Sequence, residues 1–155
     1  HILLQFSSIF LIEYLIFCYV VGYSFRFKNL LMFALDRIKD IANSDSEYIK
    51  VEGFDPDEFF KYSFGITQIH EAKPEKVVLQ FTAFLAPFIL NQPLHHSQKV
   101  LKQNDDFVEI EYHVYITTEL IMTILSYGKQ VKVLAPQKLK YQIKATVQEM
   151  AALYA

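Results

Sequence analysis

Apolar residues crowd the first quarter of the chain almost without alternation, whereas the second half alternates cleanly. From Ile2 to Tyr23 the one charged residue is Glu13. The run is rich in Ile, Phe, Tyr and Val, the types that fit a pleated, half-buried surface. It reads as two adjacent buried strands, roughly 2–8 and 11–22. A membrane-spanning helix needs roughly 20 apolar residues and would carry Glu13 near its middle, where a carboxylate is costly. A secretory signal would need a basic start and a small-residue cleavage site, and neither is present. Strands are therefore expected here, and no membrane segment.

A third strand is expected over 28–42. Leu31, Phe33 and Leu35 fall on one face, and Leu30, Met32 and Ala34 on the other. Burial on both faces suits a small closed barrel. Asp36 and Arg37 sit side by side in this stretch. On a strand they must point to opposite faces, so each needs its own partner. Asn43-Ser44-Asp45-Ser46 reads as a turn and 47–52 as a short strand. Asp55 before Pro56 sets up a short helix, with Asp55 as its cap and Pro56 at its first position. Lys73-Pro74-Glu75-Lys76 is a second break.

Beyond the break the order is clear. Val77, Leu79 and Phe81 alternate on a strand, and Pro87 starts a short helix to about Leu90. His95 to Lys102 reads as a strand, closed by an Asn104-Asp105 turn. Val108, Ile110, Tyr112, Val114 and Ile116 face a core, opposite Phe107, Glu109, Glu111, His113 and Tyr115. Thr117 or Thr118 caps a helix with the stripe Leu120, Ile121, Ile124 and Leu125, and Gly128 stops it. Val131 and Val133 mark a last strand. Pro136 opens a final helix with the stripe Leu139, Ile143, Val147, Met150 and Leu153. The order β-α-β-β-α-β plus a helix is the ferredoxin-like pattern.

Composition narrows the function. The chain has 155 residues, enough for one domain or two small ones, and 52% are hydrophobic. A net charge of -2 argues against a grip on duplex DNA by the chain itself, because phosphate binding wants a basic field. A few placed arginines would still hold a small anion. One cysteine, Cys18, permits no internal disulfide and fits a reducing compartment, the cytoplasm. The sequence opens on His1 inside an apolar run without an initiator Met, so it is expected to be part of a longer protein.

Several short segments, in order, resemble the WYL domain of bacterial transcription regulators and its C-terminal extension. They are Tyr19-Val20-Val21-Gly22-Tyr23, Phe33-Ala34-Leu35-Asp36-Arg37-Ile38, Phe54 to Phe60 with Ser63-Phe64-Gly65-Ile66, Pro93 to Gln98, Leu125 to Gly128, and Val131 to Pro136. The eponymous Trp-Tyr-Leu stands here as Cys18-Tyr19-Val20. Phe17, Leu31 and Met32 replace polar residues common in that family. The resemblance implies an α+β chain. A small Sm/SH3-like β-barrel would span 1–53, a linker with a short helix 54–75, and a ferredoxin-like βαββαβ extension with a terminal helix 76–155. A DNA-binding helix-turn-helix would precede residue 1.

The resemblance also implies ligand contacts from Tyr19, Tyr23, Arg26, Arg37 and His96. Arg37 is the leading candidate, since a guanidinium fork grips phosphate or carboxylate. Its bland alternative is a pairing that only closes the barrel. Tyr19 would be a stacking surface or a core aromatic, and Arg26 a groove residue or a solvated loop residue. A nucleotide, a single-stranded nucleic acid or another anionic effector is the implied ligand, acting on a homodimer. His95 and His96 on a strand would face apart and make poor metal co-ligands. His113 with Glu109 and Glu111 reads as a solvated strand face. There is no Gly-x-Ser-x-Gly elbow and no glycine-rich phosphate loop, with only 4 glycines in all. No enzyme, metal or cofactor is expected. Two rivals are a dimerisation module that has lost its ligand and a small metal-dependent enzyme built on His95, His96 or His113.

Overall fold

The structure is a computed structural model that describes residues 4–45, 47–69 and 72–155. The start of the expected first strand (Ile2 and Leu3) and the end of the expected turn (Ser46) lie outside the described residues. The chain divides into two compact units, His1–Phe59 and Phe60–Ala155.

The first unit is built on three antiparallel strands in the order β1-β2-β3: β1 Phe6–Tyr14, β2 Phe17–Ser24 and β3 Asn29–Ala34. The first hairpin turns at Leu15-Ile16, where the sequence reading has an uninterrupted strand. Hairpin turns usually advertise themselves with Gly, Asn or Asp, which tolerate positive φ. Here Leu15 adopts φ 57° without any of them, so no turn signal was present to read. A bulge at Ile9 breaks the register of β1. Gly22 opens room for the Phe6 ring: a Cβ added at Gly22 would lie 2.1 Å from that ring. Phe6 then meets Phe33 edge to face at 5.4 Å.

β3 is much shorter than expected. It ends at Ala34, opposite Tyr19, and Leu35–Arg37 form a 3-10 turn in which Ile38 N–H donates to the Leu35 carbonyl at 3.1 Å. β2 has only two further residues to pair with, so the ladder runs out. Asp36 and Arg37 are thus exposed turn residues and not strand residues held to opposite faces. Residues 47–52 are also not a strand. They lie along β1, held by the Tyr48 hydroxyl donating to the Ser8 carbonyl (2.9 Å) and by Ile49 N–H donating to Ser7 Oγ (3.0 Å). The bulge at Ile9 interrupts the edge against which a regular ladder would form. Next comes α1, Pro56–Phe60, whose first turn is capped by Asp55 Oδ1 accepting from Asp57 N–H at 2.9 Å.

The second unit runs β4 Glu75–Thr82, α2 Ala86–Asn91, β5 Lys99–Gln103, β6 Phe107–Val114, α3 Thr118–Ser126, β7 Val131–Ala135 and α4 Gln137–Ala152. Its sheet is antiparallel throughout, in the order β5-β6-β4-β7. Every second residue of β4 and β6 is buried: Val77, Leu79 and Phe81, then Val108, Ile110, Tyr112 and Val114. Ile89 of α2, Leu120 and Ile124 of α3 and Leu139 of α4 pack on that face. Thr117 caps α3, its hydroxyl accepting from Leu120 N–H at 3.2 Å, and Gly128 follows at φ 54°. His95–Gln98 is a turn and not the start of a strand; β5 begins at Lys99. Gln98 is drawn inward instead. Its Nε2 donates to the Ile89 carbonyl (2.9 Å), and its Oε1 accepts from the buried Tyr112 hydroxyl (2.9 Å). Among the described residues no helix is long and apolar enough to cross a membrane.

Candidate functional site

Four of the five predicted ligand residues lie in the first unit, on or beside one hairpin. Tyr19 and Tyr23 are both half-buried and, two alternations apart, share a face of β2. Arg26 is exposed in the turn between β2 and β3, with its guanidinium 5.4 Å from the Phe27 ring centroid. Arg37 is exposed and forms no ion pair among the described residues. The hairpin register separates the two arginines. Arg26 follows Ser24 at one end, while Arg37 follows Ala34, which opposes Tyr19 at the other. Five residues of strand span about 17 Å, at roughly 3.3 Å per residue. The two guanidinium groups therefore start from opposite ends of the hairpin.

The fifth residue, His96, is in the second unit, on the turn before β5. The two neighbouring rings do not face apart: His95 and His96 lie 4.1 Å apart, centroid to centroid. His95 stacks on Phe64 at 6.5 Å. Its Nδ1 accepts from Ser97 N–H at 3.1 Å, so the neutral ring carries its proton on Nε2. That nitrogen is buried without a hydrogen-bond partner. Burial, with His96 beside it, lowers the pKa of His95 from 6.5 to about 4. The ring's one lone pair, on Nδ1, is thus already engaged by Ser97. The described residues contain no group of three or more His, Cys, Asp or Glu able to hold a metal ion. His113 is exposed, with its ring 5.0 Å from that of Tyr62.

The sequence reading missed a cavity of about 600 Å³ in the first unit, beside β1. Ile9, Phe10, Val51, Phe54 and Pro56 supply apolar wall, and Lys50 and Glu52 supply charge. None of the five predicted residues lines it. Phe10 and Phe54 meet there at 6.1 Å, and Phe54 leans on Phe59 at 5.4 Å. The 47–52 segment, expected as a short strand, supplies Tyr48, Lys50, Val51 and Glu52 to the cavity's lining.

Residues 73–151 match the family model of the WCX domain, just over half of the chain. The chain belongs to the WCX domain family. The WCX domain is the C-terminal companion of WYL domains, and here it takes in β4 to most of α4. Of the predicted ligand residues the WCX domain carries His96; Tyr19, Tyr23, Arg26 and Arg37 precede it. Among solved structures, the proteasome accessory factor B/C (PafBC) of Arthrobacter aurescens is similar, with 16% identity and a TM-score of 0.30. The match covers 82% of this chain and 19% of PafBC. No curated protein matches.

Proposed function

We propose that this chain is the ligand-sensing and dimerising part of a bacterial WYL-family transcription regulator, non-catalytic and cytoplasmic. DNA would be bound by a helix-turn-helix elsewhere in the full-length protein. Membership of the WCX domain family carries this reading, supported by the WYL-like segments that precede the WCX domain in order. In the finer fold reading, the first unit is a small Sm-like barrel and the second is ferredoxin-like. The β5-β6-β4-β7 order of a βαββαβ run supports the second part.

The spacing of the arginines bears on the effector. With Arg26 and Arg37 at opposite ends of one hairpin and Tyr19 and Tyr23 between them, an extended ligand fits better than a mononucleotide. A single strand of nucleic acid offers repeated phosphates for the guanidinium groups and bases for the tyrosine rings. Binding would shift a homodimer between states of different DNA affinity.

A thermal-shift titration of the whole chain tests the reading. The probes are mononucleotides, cyclic dinucleotides and short single-stranded oligonucleotides, with Arg26→Ala and Arg37→Ala beside the wild type. A ligand that binds only the folded state at a hundred times its dissociation constant adds about 2.7 kcal/mol of stability. The expected outcome is a salt-sensitive shift with oligonucleotides, reduced in each variant. The second reading is a dimerisation module without a ligand. Apolar Leu31 and Met32 on β3, together with the stacking of Arg26 on Phe27, favour it. No shift with any probe would select it.

A further inference from the structure

The tip of the β1–β2 hairpin is an apolar knob. Leu15 is 76% exposed and Ile16 85%, with Phe17 beside them at 43%. Exposed apolar side chains are ordinary when scattered, but a contiguous group is a contact surface. This one sits on a turn where apolar residues are unusual and Leu15 is held at positive φ. Glu13 stands at its base, exposed. The same unit carries the complementary shape: a cavity walled by Ile9, Phe10, Val51, Phe54 and Pro56, with exposed Lys50 beside it. A volume of about 600 Å³ exceeds by several-fold the roughly 150 Å³ that a deleted leucine side chain leaves, so it has room for both tip residues.

The knob cannot enter its own cavity. Five strand residues separate Phe10 from Leu15, about 17 Å along β1. We infer that the Leu15-Ile16 tip of one copy seats in the cavity beside β1 of a second copy, and that the exchange is reciprocal about a two-fold axis. A two-fold arrangement closes the pair, since each copy offers one knob and one hole. Charge complements shape. Neither Glu13 nor Lys50 has an ion-pair partner among the described residues, and seating the tip brings a carboxylate toward an ammonium. Glu52 also lines the cavity and repels a carboxylate, so the attraction rests on the Glu13–Lys50 pair alone, which can be inverted. The inference deepens the dimeric part of the proposed function and is independent of any effector.

Sedimentation equilibrium of the full chain over a concentration series tests it. The wild type is expected as a dimer. Ile16→Asp sets a carboxylate against the Ile9, Phe10, Val51, Phe54 and Pro56 wall and is expected to raise the dissociation constant by at least about tenfold. Because Ile16 is exposed in the single copy, the variant should keep the wild-type circular dichroism. Glu13→Lys and Lys50→Glu should each weaken the dimer, and the two together should restore it, because the charge pair is re-formed with reversed sign. A monomeric wild type would overturn the inference. So would a dimer that Ile16→Asp leaves intact, or a double variant no tighter than the single ones. Co-sedimentation of a monomeric wild type with phosphatidylcholine vesicles, lost in Ile16→Asp, would assign the tip to a lipid surface and equally overturn it. An oligonucleotide-dependent thermal shift from a monomeric chain would sink the knob-and-hole pairing while leaving the sensing function standing.

Discussion

Gly22 shows how one missing methyl group sets the packing of the first sheet. Its absent Cβ would fall 2.1 Å from the Phe6 ring and 2.5 Å from the Ser7 carbonyl oxygen. Neither neighbour yields cheaply, since one is a packed ring and the other is backbone. Overpacking of this kind typically costs 1–3 kcal/mol. Gly22→Ala is therefore expected to destabilise the first sheet by about that amount, measured as lost amide hydrogen-exchange protection of β1 and β2 in the whole chain. A second residue, His95, ties stability to pH. It is neutral in the folded chain because burial, reinforced by His96, lowers its pKa to about 4 against 6.5 when unfolded. Between those values the unfolded chain binds the extra proton, so stability present above pH 6.5 is lost as the pH falls toward 4. His95→Gln should flatten the slope of melting temperature against pH in that window. An unchanged slope would show that groups other than His95 set it.

At the scale of elements, α4 divides into two halves with different duties. Its stripe begins at fully buried Leu139 and ends at Leu153, 81% exposed; Val147 and Met150 between them are 48% and 45% exposed. A helix stripe stabilises only where something covers it. Leu139→Ala should cost about 2–5 kcal/mol, as for other buried leucines. Met150→Lys should stay within about 0.5 kcal/mol of wild type, as for surface substitutions generally. Chemical denaturation of the two variants checks both values. The stripe was legible in the sequence, whereas its uncovered end was not, because periodicity shows which residues share a face and not how far a partner surface extends. The same limit explains the strands. β4 and β6 were legible because each buries one face and exposes the other, so alternation betrays them. β3 and the 47–52 segment were misread because apolar content alone does not show where a ladder loses its partner. β5 was placed too early because the Gln98 side chain, not a backbone ladder, anchors the residues before Lys99.

At the scale of the whole molecule, the two units differ in how much core they own. Among the described residues the buried apolar side chains of the first unit are Val20, Val21 and Ala34. The second unit holds a continuous cluster that includes Phe81, Ile110, Tyr112, Leu120 and Leu139. This asymmetry follows from the sequence pattern: clean alternation gave a one-sided sheet covered by helices, while the unbroken apolar run gave strands with few covering residues. It also bears on the candidate site. Tyr19, Tyr23, Arg26 and Arg37 could be named from the sequence, but their distribution along one hairpin depends on where the turns fall, and the Leu15-Ile16 turn carried no signal. Three strands with so thin a core are marginal by themselves, whereas four strands packed on helices have what independent stability requires. A fragment of residues 60–155 is therefore expected to unfold in one cooperative transition with the melting temperature of the main transition of the whole chain. A fragment of residues 1–59 should show a broad, non-cooperative loss of structure. Calorimetry of the two fragments beside the whole chain decides the matter. If residues 60–155 melted without a heat-capacity peak, the second unit would need the first in order to fold, and the cluster around Tyr112 would not be a self-sufficient core.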